Sequence, residues 1–132
     1  MTLVLDTSIL IDLENKQLKT LSFLKKISEI NPDPPKITVV NQFEFLFGLK
    51  DKKIANKEKA LTLLNNFSVI HTTQKTAHLL LSLKQKYESK GSPMPLADLL
   101  IAALTLENHF TLVTKDPDFE KIEELNKIIV PS

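Results

Sequence analysis

Short apolar runs alternate along this chain with longer segments whose apolar residues recur at helical spacing, and this alternation constrains the fold most. The short runs are interpreted as buried strands because they are brief, apolar and rich in β-branched residues. They lie at residues 3–5, 37–40, 67–71 and 110–114, with a fifth, edge strand predicted at residues 127–130. Strands that alternate with helices build parallel sheets through right-handed crossovers. The sequence therefore predicts one α/β domain over residues 1–132, with a parallel sheet of four to five strands flanked by helices.

The helical segments are predicted from apolar residues that lie three and four positions apart. They occupy residues 7–13, 18–30, 41–49, 57–66, 76–87, 96–108 and 117–124. The segment 96–108 is apolar on nearly all sides, so we expect it to be buried against the sheet. Leu18, Leu21 and Leu24 on the second helix suit either the core or a dimer interface.

Composition limits the chemistry that such a domain can carry. The chain has no cysteine, which excludes disulfides, thiolate metal sites and thiol nucleophiles and is compatible with a reducing cytosol. The first residues show no signal peptide, and no apolar run approaches the roughly 20 residues that span a bilayer. We therefore expect a cytoplasmic protein that does not act at a membrane.

The charge of the chain is nearly balanced, at +1, which argues against a general polyanion-binding surface. All 17 basic residues are lysines, and this absence of arginine is interpreted as a composition bias. Because no guanidinium fork is available, the charge of a bound phosphate would be neutralised by a metal ion and by lysine.

Four carboxylates lie where an apolar run gives way to a helix, or in the first turn of a helix. They are Asp6, Glu44, Asp98 and Asp116. In a parallel sheet such strand-to-helix junctions gather at one edge, where ligands bind. Carboxylates gathered there repel one another unless a divalent cation lies between them, and hard oxygen ligands suit Mg²⁺ or Mn²⁺. The pattern therefore predicts a metal-dependent enzyme that acts on phosphates.

Each acid also has a purely structural explanation. Asp6 and Asp116 stand where helix N-caps are favoured, and Asp116 precedes Pro117, which is typical of a helix start. Asp118, two residues further on, is an alternative ligand to Asp116. Asp98 stands near a helix N-terminus, where the helix dipole favours a negative charge.

Glu44 follows Asn41 by three residues, so the pair resembles a capping box with Asn41 as the N-cap. Its other neighbours are phenylalanine and leucine, as those of Asp98 are leucine and isoleucine. A carboxylate among apolar residues needs a partner, or its pKa rises. This environment favours a ligand role for both acids over simple caps.

The remaining polar residues are expected to play smaller parts. The hydroxyls of Thr7, Ser8 and Thr114 are expected to cap or to form turns, with orientation of a carboxylate as the alternative. Lys115 is interpreted as solvated rather than as a phosphate contact. Three acids, Asp12, Asp33 and Asp51, are expected to be solvated at the surface. The three histidines, His71, His78 and His109, are expected at the surface or in packing.

Three segments of the chain resemble a known family. LVLDTSILIDL at residues 3–13, NQFEFLFGL at residues 41–49 and PLADLLIAALTLENHFTLVTKDPDFEKI at residues 95–122 are similar to PIN domains. The resemblance is greatest to the small bacterial and archaeal toxins of the VapBC type. It covers nearly the whole chain, and the stretch from Asp98 to Phe119 is its most characteristic part.

The resemblance implies an endoribonuclease that hydrolyses RNA phosphodiester bonds with Mg²⁺ or Mn²⁺. Carried over by motif, the family's four acids fall on Asp6, Glu44, Asp98 and Asp116. Asp118 matches the neighbour that sometimes substitutes for the fourth acid, and Thr7 and Thr114 match the family's hydroxyl positions. Whether one metal ion binds or two, and which of the last two acids is the ligand, is left open.

The resemblance also implies partners. Members of the family are usually homodimers, and a small antitoxin inhibits them by placing its tail in the acidic groove. Relatives contact RNA through arginine, which this chain lacks. Lys50, Lys52 and Lys53 are candidates to replace it, and a solvated helix end is the alternative.

Two other classes of protein compete with a nuclease. One is a catalytically inactive interaction module with the same fold, which the four acids argue against. The other is a phosphoacceptor signalling domain, which needs paired acids after the first strand and an Asp after the third. Here Asp6 has no adjacent acid, and residues 68–73 contain no aspartate.

Overall fold

The computed structural model describes residues 1–132, which form a five-stranded sheet surrounded by six α-helices. The strands are β1 (Leu3–Leu5), β2 (Lys36–Thr38), β3 (Ser68–Ile70), β4 (Thr111–Thr114) and β5 (Lys127–Ile129). Their order is β3-β2-β1-β4-β5, and every neighbouring pair is parallel. The predicted parallel α/β fold is confirmed, with five strands and with β1 at the centre.

The helices alternate with the strands along the chain. They are α1 (Thr7–Glu14), α2 (Leu18–Ile30), α3 (Val39–Phe47), α4 (Ile54–Leu64), α5 (Gln74–Ser89) and α6 (Leu96–Glu107). A 3₁₀ helix at Pro117–Lys121 replaces the longer helix predicted to residue 124. None of the helices has the length and apolarity required to cross a bilayer.

The start of α3 differs from the prediction. The second strand was expected to run through Val40, with Asn41 as the N-cap of the next helix. Instead the strand ends at Thr38, whose hydroxyl accepts a hydrogen bond from the Asn41 backbone N–H at 3.1 Å. The Asn41 side chain accepts in return from the backbone N–H of Thr38, also at 3.1 Å. This reciprocal capping box outweighs the β preference of Val39 and Val40.

The core consists of two apolar layers, one on each face of the sheet. Alternation along the strands directs Leu3 and Leu5 of β1 into one layer and Val4 into the other. The Leu3 and Leu5 layer is covered by α1, α2, α3 and α4, and the Val4 layer by α5 and α6. As predicted, α6 is buried against the sheet, with Leu99 and residues 101–105 inaccessible to solvent.

The strand order excludes one alternative. Phosphoacceptor signalling domains have the doubly wound order 2-1-3-4-5. In this chain β2 lies between β1 and β3, and β4 pairs directly with β1. The topology therefore differs from that of a phosphoacceptor domain.

Candidate metal centre

The four predicted acids lie on segments that meet at the carboxyl edge of the sheet. Asp6 directly follows β1, Asp116 follows β4, Glu44 lies on α3 after β2, and Asp98 is in the first turn of α6. Because β1 pairs with both β2 and β4, the ends of these three strands are adjacent.

Asp6 is the most buried of these acids, with 7% of its surface exposed. Its Oδ2 accepts hydrogen bonds from Thr114 Oγ1 at 2.7 Å and Ser8 Oγ at 3.3 Å, and its Oδ1 accepts from Asn41 Nδ2 at 3.2 Å. Burial raises the pKa of Asp6, and these hydrogen bonds oppose the rise. Although Asp6 occupies the N-cap position of α1, its side chain makes no capping bond. The carboxylate is held by side chains from β4, α3 and α1 instead.

Glu44 does not belong to a capping box, contrary to the structural explanation considered from sequence. It lies in the middle of α3, and its Oε1 accepts a hydrogen bond from Thr7 Oγ1 at 2.6 Å. Asn41 Nδ2 donates to the same hydroxyl at 3.1 Å as well as to Asp6. Asn41, which is fully buried, therefore connects the two carboxylates.

The pKa of Asp98 shows how strongly the acids of the cluster repel one another. Its pKa is raised from 3.8 to about 6, first because the carboxyl is partly buried. The second cause is negative charge nearby, which comes in decreasing order from Asp116, Asp6, Glu44 and Asp118. None of the four predicted acids forms an ion pair with a lysine. The four predicted acids therefore form a negative cluster without a lysine counter-charge.

Asp116 caps the 3₁₀ helix, as one of the sequence interpretations proposed. Its Oδ1 accepts from the Asp118 backbone N–H at 2.9 Å, and Pro117 follows at the first helical position. Asp118 itself is exposed and lies 3.6 Å from the ammonium of Lys121. Of the two neighbouring acids, Asp116 acts more strongly on Asp98.

The donor set suits a hard divalent cation, because it offers only carboxylate oxygens, with hydroxyls and an amide behind them. No group of three or more acidic or histidine side chains is arranged closely enough to hold a metal ion as the side chains stand. The residues thus fit such an ion in chemistry and charge, and its binding requires the carboxylates to move closer together.

Two residues assigned to the surface are not solvated. Asp12 is only 7% exposed, and its Oδ2 accepts hydrogen bonds from Lys115 Nζ at 2.8 Å and Thr20 Oγ1 at 2.5 Å. The interpretations of Asp12 and Lys115 as solvated residues were wrong, because each neutralises the other. The sequence gives little indication of this pair, since its members lie more than 100 residues apart.

The other small assignments have mixed outcomes. The hydroxyls of Thr7 and Thr114 donate to carboxylates, which was the alternative expectation, and Thr114 Oγ1 also accepts from the Asp116 backbone N–H at 3.0 Å, which is the expected turn interaction. Lys52 pairs with Glu14 at 3.2 Å, and Lys50 lies over the ring of Phe47. The three histidines are all exposed. Asn41 was considered only as a cap, and its position directly beyond a buried strand was the signal for a larger role.

Comparison with known proteins agrees with this architecture. The PIN domain family model matches residues 3–125. The solved structure of VapBC2 from Rickettsia felis, bound to a DNA fragment from its promoter, contains a chain 25% identical to this one. Its TM-score is 0.87, with 99% of this chain and 100% of that chain covered.

Two further solved structures have the same fold. In a toxin–antitoxin complex from Klebsiella pneumoniae the matching chain is 25% identical, with a TM-score of 0.75 and 98% of each chain covered. In VapBC-1 from nontypeable Haemophilus influenzae the matching chain is 20% identical, with a TM-score of 0.81 and 98% of each chain covered. Curated proteins gave no match. Since the family model covers nearly all of the sequence, this chain belongs to the PIN domain family.

Proposed function

We propose that this protein is a divalent-metal-dependent endoribonuclease and the toxin component of a type II toxin–antitoxin pair. The observation that carries the proposal is the acidic cluster, in which carboxylates from three other segments act on Asp98 and none of the four predicted acids has a lysine partner. Maintaining such a cluster costs stability, because like charges repel in a partly buried site. A cation that binds there offsets this cost.

In the proposed site the metal ligands are Asp6, Glu44, Asp98 and Asp116, with Asp118 as an additional acid at the rim. The ion is Mg²⁺ or Mn²⁺. When bound, such an ion lowers the pKa of a coordinated water and stabilises charge that develops on phosphate oxygens.

The protein itself supplies orientation. Thr114 and Asn41 direct the two oxygens of Asp6, and Thr7 directs Glu44. These donors are neutral, so they restrain the carboxylates without cancelling their charge. Hydrolysis by an activated water needs no covalent intermediate.

The proposed partners are an antitoxin and a second copy of the chain. Support comes from the solved toxin–antitoxin structures, which match over nearly the full chain. Large apolar side chains are also exposed, with Leu18 at 80%, Ile54 at 76% and Phe43 at 64% on α2, α4 and α3, and Leu96 at 57% on α6. On α3 the ring of Phe43 stacks on that of Phe47, which is 57% exposed, so these two form an adjacent apolar pair of the kind that protein interfaces cover.

The proposal is tested by incubating a mixed RNA substrate with the protein in Mn²⁺, Mg²⁺ or EDTA. Asp98→Asn is compared with Asp51→Asn, which removes the same charge from an exposed residue in the α3–α4 connection. We expect cleavage that needs metal, disappears in Asp98→Asn and persists in Asp51→Asn.

Calorimetry with Mn²⁺ separates the nuclease from its rival. Metal binding that is lost in Asp98→Asn supports the site even where the RNA mixture lacks the preferred target. If the folded wild type neither cleaves RNA nor binds either metal, the nuclease proposal is refuted and an interaction module becomes the better description.

A further inference from the structure

A buried ion pair lies beside the acidic cluster and is not part of it. Asp12, near the end of α1, accepts a hydrogen bond from Lys115 Nζ at 2.8 Å. Thr20 of α2 donates to the same carboxylate oxygen. The side chain of Asp12 is 10% exposed and that of Lys115 is 30% exposed. The pair is therefore largely removed from solvent.

Lys115 connects this ion pair to the acidic cluster through its place in the chain. Lys115 stands between Thr114, which binds Asp6, and Asp116, which caps the 3₁₀ helix. Its backbone N–H donates to Ser8 Oγ at 3.2 Å, so one residue is tied to α1 by both its backbone and its side chain.

Together these contacts attach the segment 114–116 to α1 at three positions, from its N-cap to its last turn. Thr114 binds at the start of α1 and the backbone of Lys115 binds at its first turn, whereas the ammonium of Lys115 binds at Asp12 near its end. The acids of the cluster repel one another, and Asp116 is carried by a connection rather than by a strand or an α-helix. A restraint on this connection opposes its displacement from the other acids.

A structural role alone is a weak explanation for such a pair. Desolvating both charges costs much of what their attraction returns, so buried ion pairs seldom add net stability over apolar residues. In some proteins such a pair instead fixes a geometry, and here the geometry that it would fix is that of the Asp116 segment.

We infer that Asp12 and Lys115 are positioning residues that hold the Asp116 segment in place for metal binding. This inference rests on the proposed function, because it assigns the pair to the same site. Residues that orient metal ligands from behind typically change metal affinity by about 10–100-fold when removed.

Lys115→Met is the most direct variant, because it keeps the aliphatic stem and removes the charge. Asp12→Asn is less suitable, since it leaves a free ammonium that can enter the acidic cluster. Lys115→Arg retains the charge and serves as the rescue. Lys52→Met is the matched control, because Lys52 also ties α1 to a neighbouring connection, through Glu14, but does not contact residues 114–116.

Two quantities are measured on each folded variant. Mn²⁺ affinity is measured by electron paramagnetic resonance, and amide hydrogen exchange is measured at Asp116 and Asp118 without metal. We expect Lys115→Met to weaken Mn²⁺ binding by about tenfold or more and to accelerate exchange at both amides. Lys115→Arg should keep most of the Mn²⁺ affinity and of the protection from exchange. Lys52→Met should change neither the Mn²⁺ affinity nor the exchange rates.

Other outcomes overturn the inference. If Lys115→Met lowers the melting temperature but binds Mn²⁺ as the wild type does, the pair is structural only. If Lys115→Met does not fold, Thr20→Val, which removes one neutral donor to Asp12, must weaken Mn²⁺ binding in the same direction or the inference fails. If the wild type binds neither Mn²⁺ nor Mg²⁺ and cleaves no RNA, the proposed function is refuted and the metal-positioning inference with it. Exchange at Asp116 then decides separately whether the pair restrains the segment.

Discussion

Asp98→Asn should stabilise the metal-free protein while abolishing its proposed activity. The pKa of Asp98 is raised from 3.8 to about 6, chiefly by burial and next by the charge of Asp116. A raised pKa means that the folded state disfavours the ionised carboxylate. In EDTA at neutral pH the folded protein carries this penalty, and an uncharged asparagine of similar shape does not.

The magnitude follows from the pKa difference. At about 1.4 kcal/mol per pH unit, the change from 3.8 to about 6 corresponds to an upper limit of about 3 kcal/mol. Asp98 is only partly buried, salt screens its neighbours, and asparagine loses a favourable interaction with the N-terminus of α6. We therefore expect a gain of about 1–2 kcal/mol at pH 7.5, or roughly 4–8 °C in melting temperature.

The raised pKa also determines how the stability difference between Asp98→Asn and the wild type changes with pH. Between pH 3.8 and 6 the folded state binds more protons at this site than the unfolded state, so its stability falls as pH rises. The advantage of Asp98→Asn is thus complete above about pH 6 and disappears as pH falls toward 3.8.

Urea unfolding of the wild type and the variant in EDTA, across this range, measures the difference directly. Asp51→Asn, which alters an exposed carboxylate, should show none of this pattern. An Asp98→Asn variant that is less stable than the wild type at pH 7.5, or whose difference does not depend on pH, would refute the reasoning.

Three further predictions concern residues that support the fold and the site. Burial raises the pKa of Asp12, but hydrogen bonds from Lys115 and Thr20 outweigh it and the pKa is lowered. Asp12→Asn should therefore cost about 1–3 kcal/mol at pH 7, a loss that fades as pH falls below the ordinary value of 3.8, measured by urea unfolding. Tyr87→Phe removes a buried hydroxyl that donates to Glu124, and it should cost about 1–3 kcal/mol in the same assay. Asn41→Ala should cost about 1–2 kcal/mol through the lost cap and should also weaken Mn²⁺ binding by about tenfold, measured by calorimetry.

Each of these predictions has a specific contrary result. A pH-independent loss in Asp12→Asn would mean that its charge is irrelevant. Unchanged stability in Tyr87→Phe would show that water replaces the hydroxyl. Asn41→Ala that loses stability but retains Mn²⁺ affinity would reduce Asn41 to a helix cap, and Asn65→Ala, at the exposed end of α4, serves as its control.

The strands and α6 could be predicted because their information is local. Leu3–Leu5 is short and fully apolar, whereas Leu96–Glu107 is apolar on almost every side over 12 residues, so composition and length identify both elements. Val39 and Val40 were assigned wrongly because their side chains favour a strand, while the deciding interaction is the capping box between Thr38 and Asn41. Local propensity yields to such a box when all its members are buried.

The same contrast between local and long-range information separates the acids, which could be predicted, from the residues that support them, which could not. Asp6 and Asp98 were identifiable as candidates because a charge beside apolar residues is conspicuous in the sequence. Their supporting contacts join distant positions, such as Thr114 to Asp6 across 108 residues and Lys115 to Asp12 across 103. Such pairs depend on which strand ends become neighbours, and the order β2-β1-β4 is settled only by the folded sheet.

The choice of donors around the cluster has a consequence for the proposed metal. The carboxylates of Asp6 and Glu44 are restrained by Thr7, Asn41 and Thr114, all of them neutral. A lysine in any of these positions would restrain them equally well and would also cancel the charge that a divalent cation requires. Lys115, which directly precedes Asp116 in the chain, has its ammonium on Asp12 instead, outside the cluster. The arrangement thus keeps the acids ordered and their charge uncompensated, which costs the metal-free fold stability, and a bound cation would offset that cost.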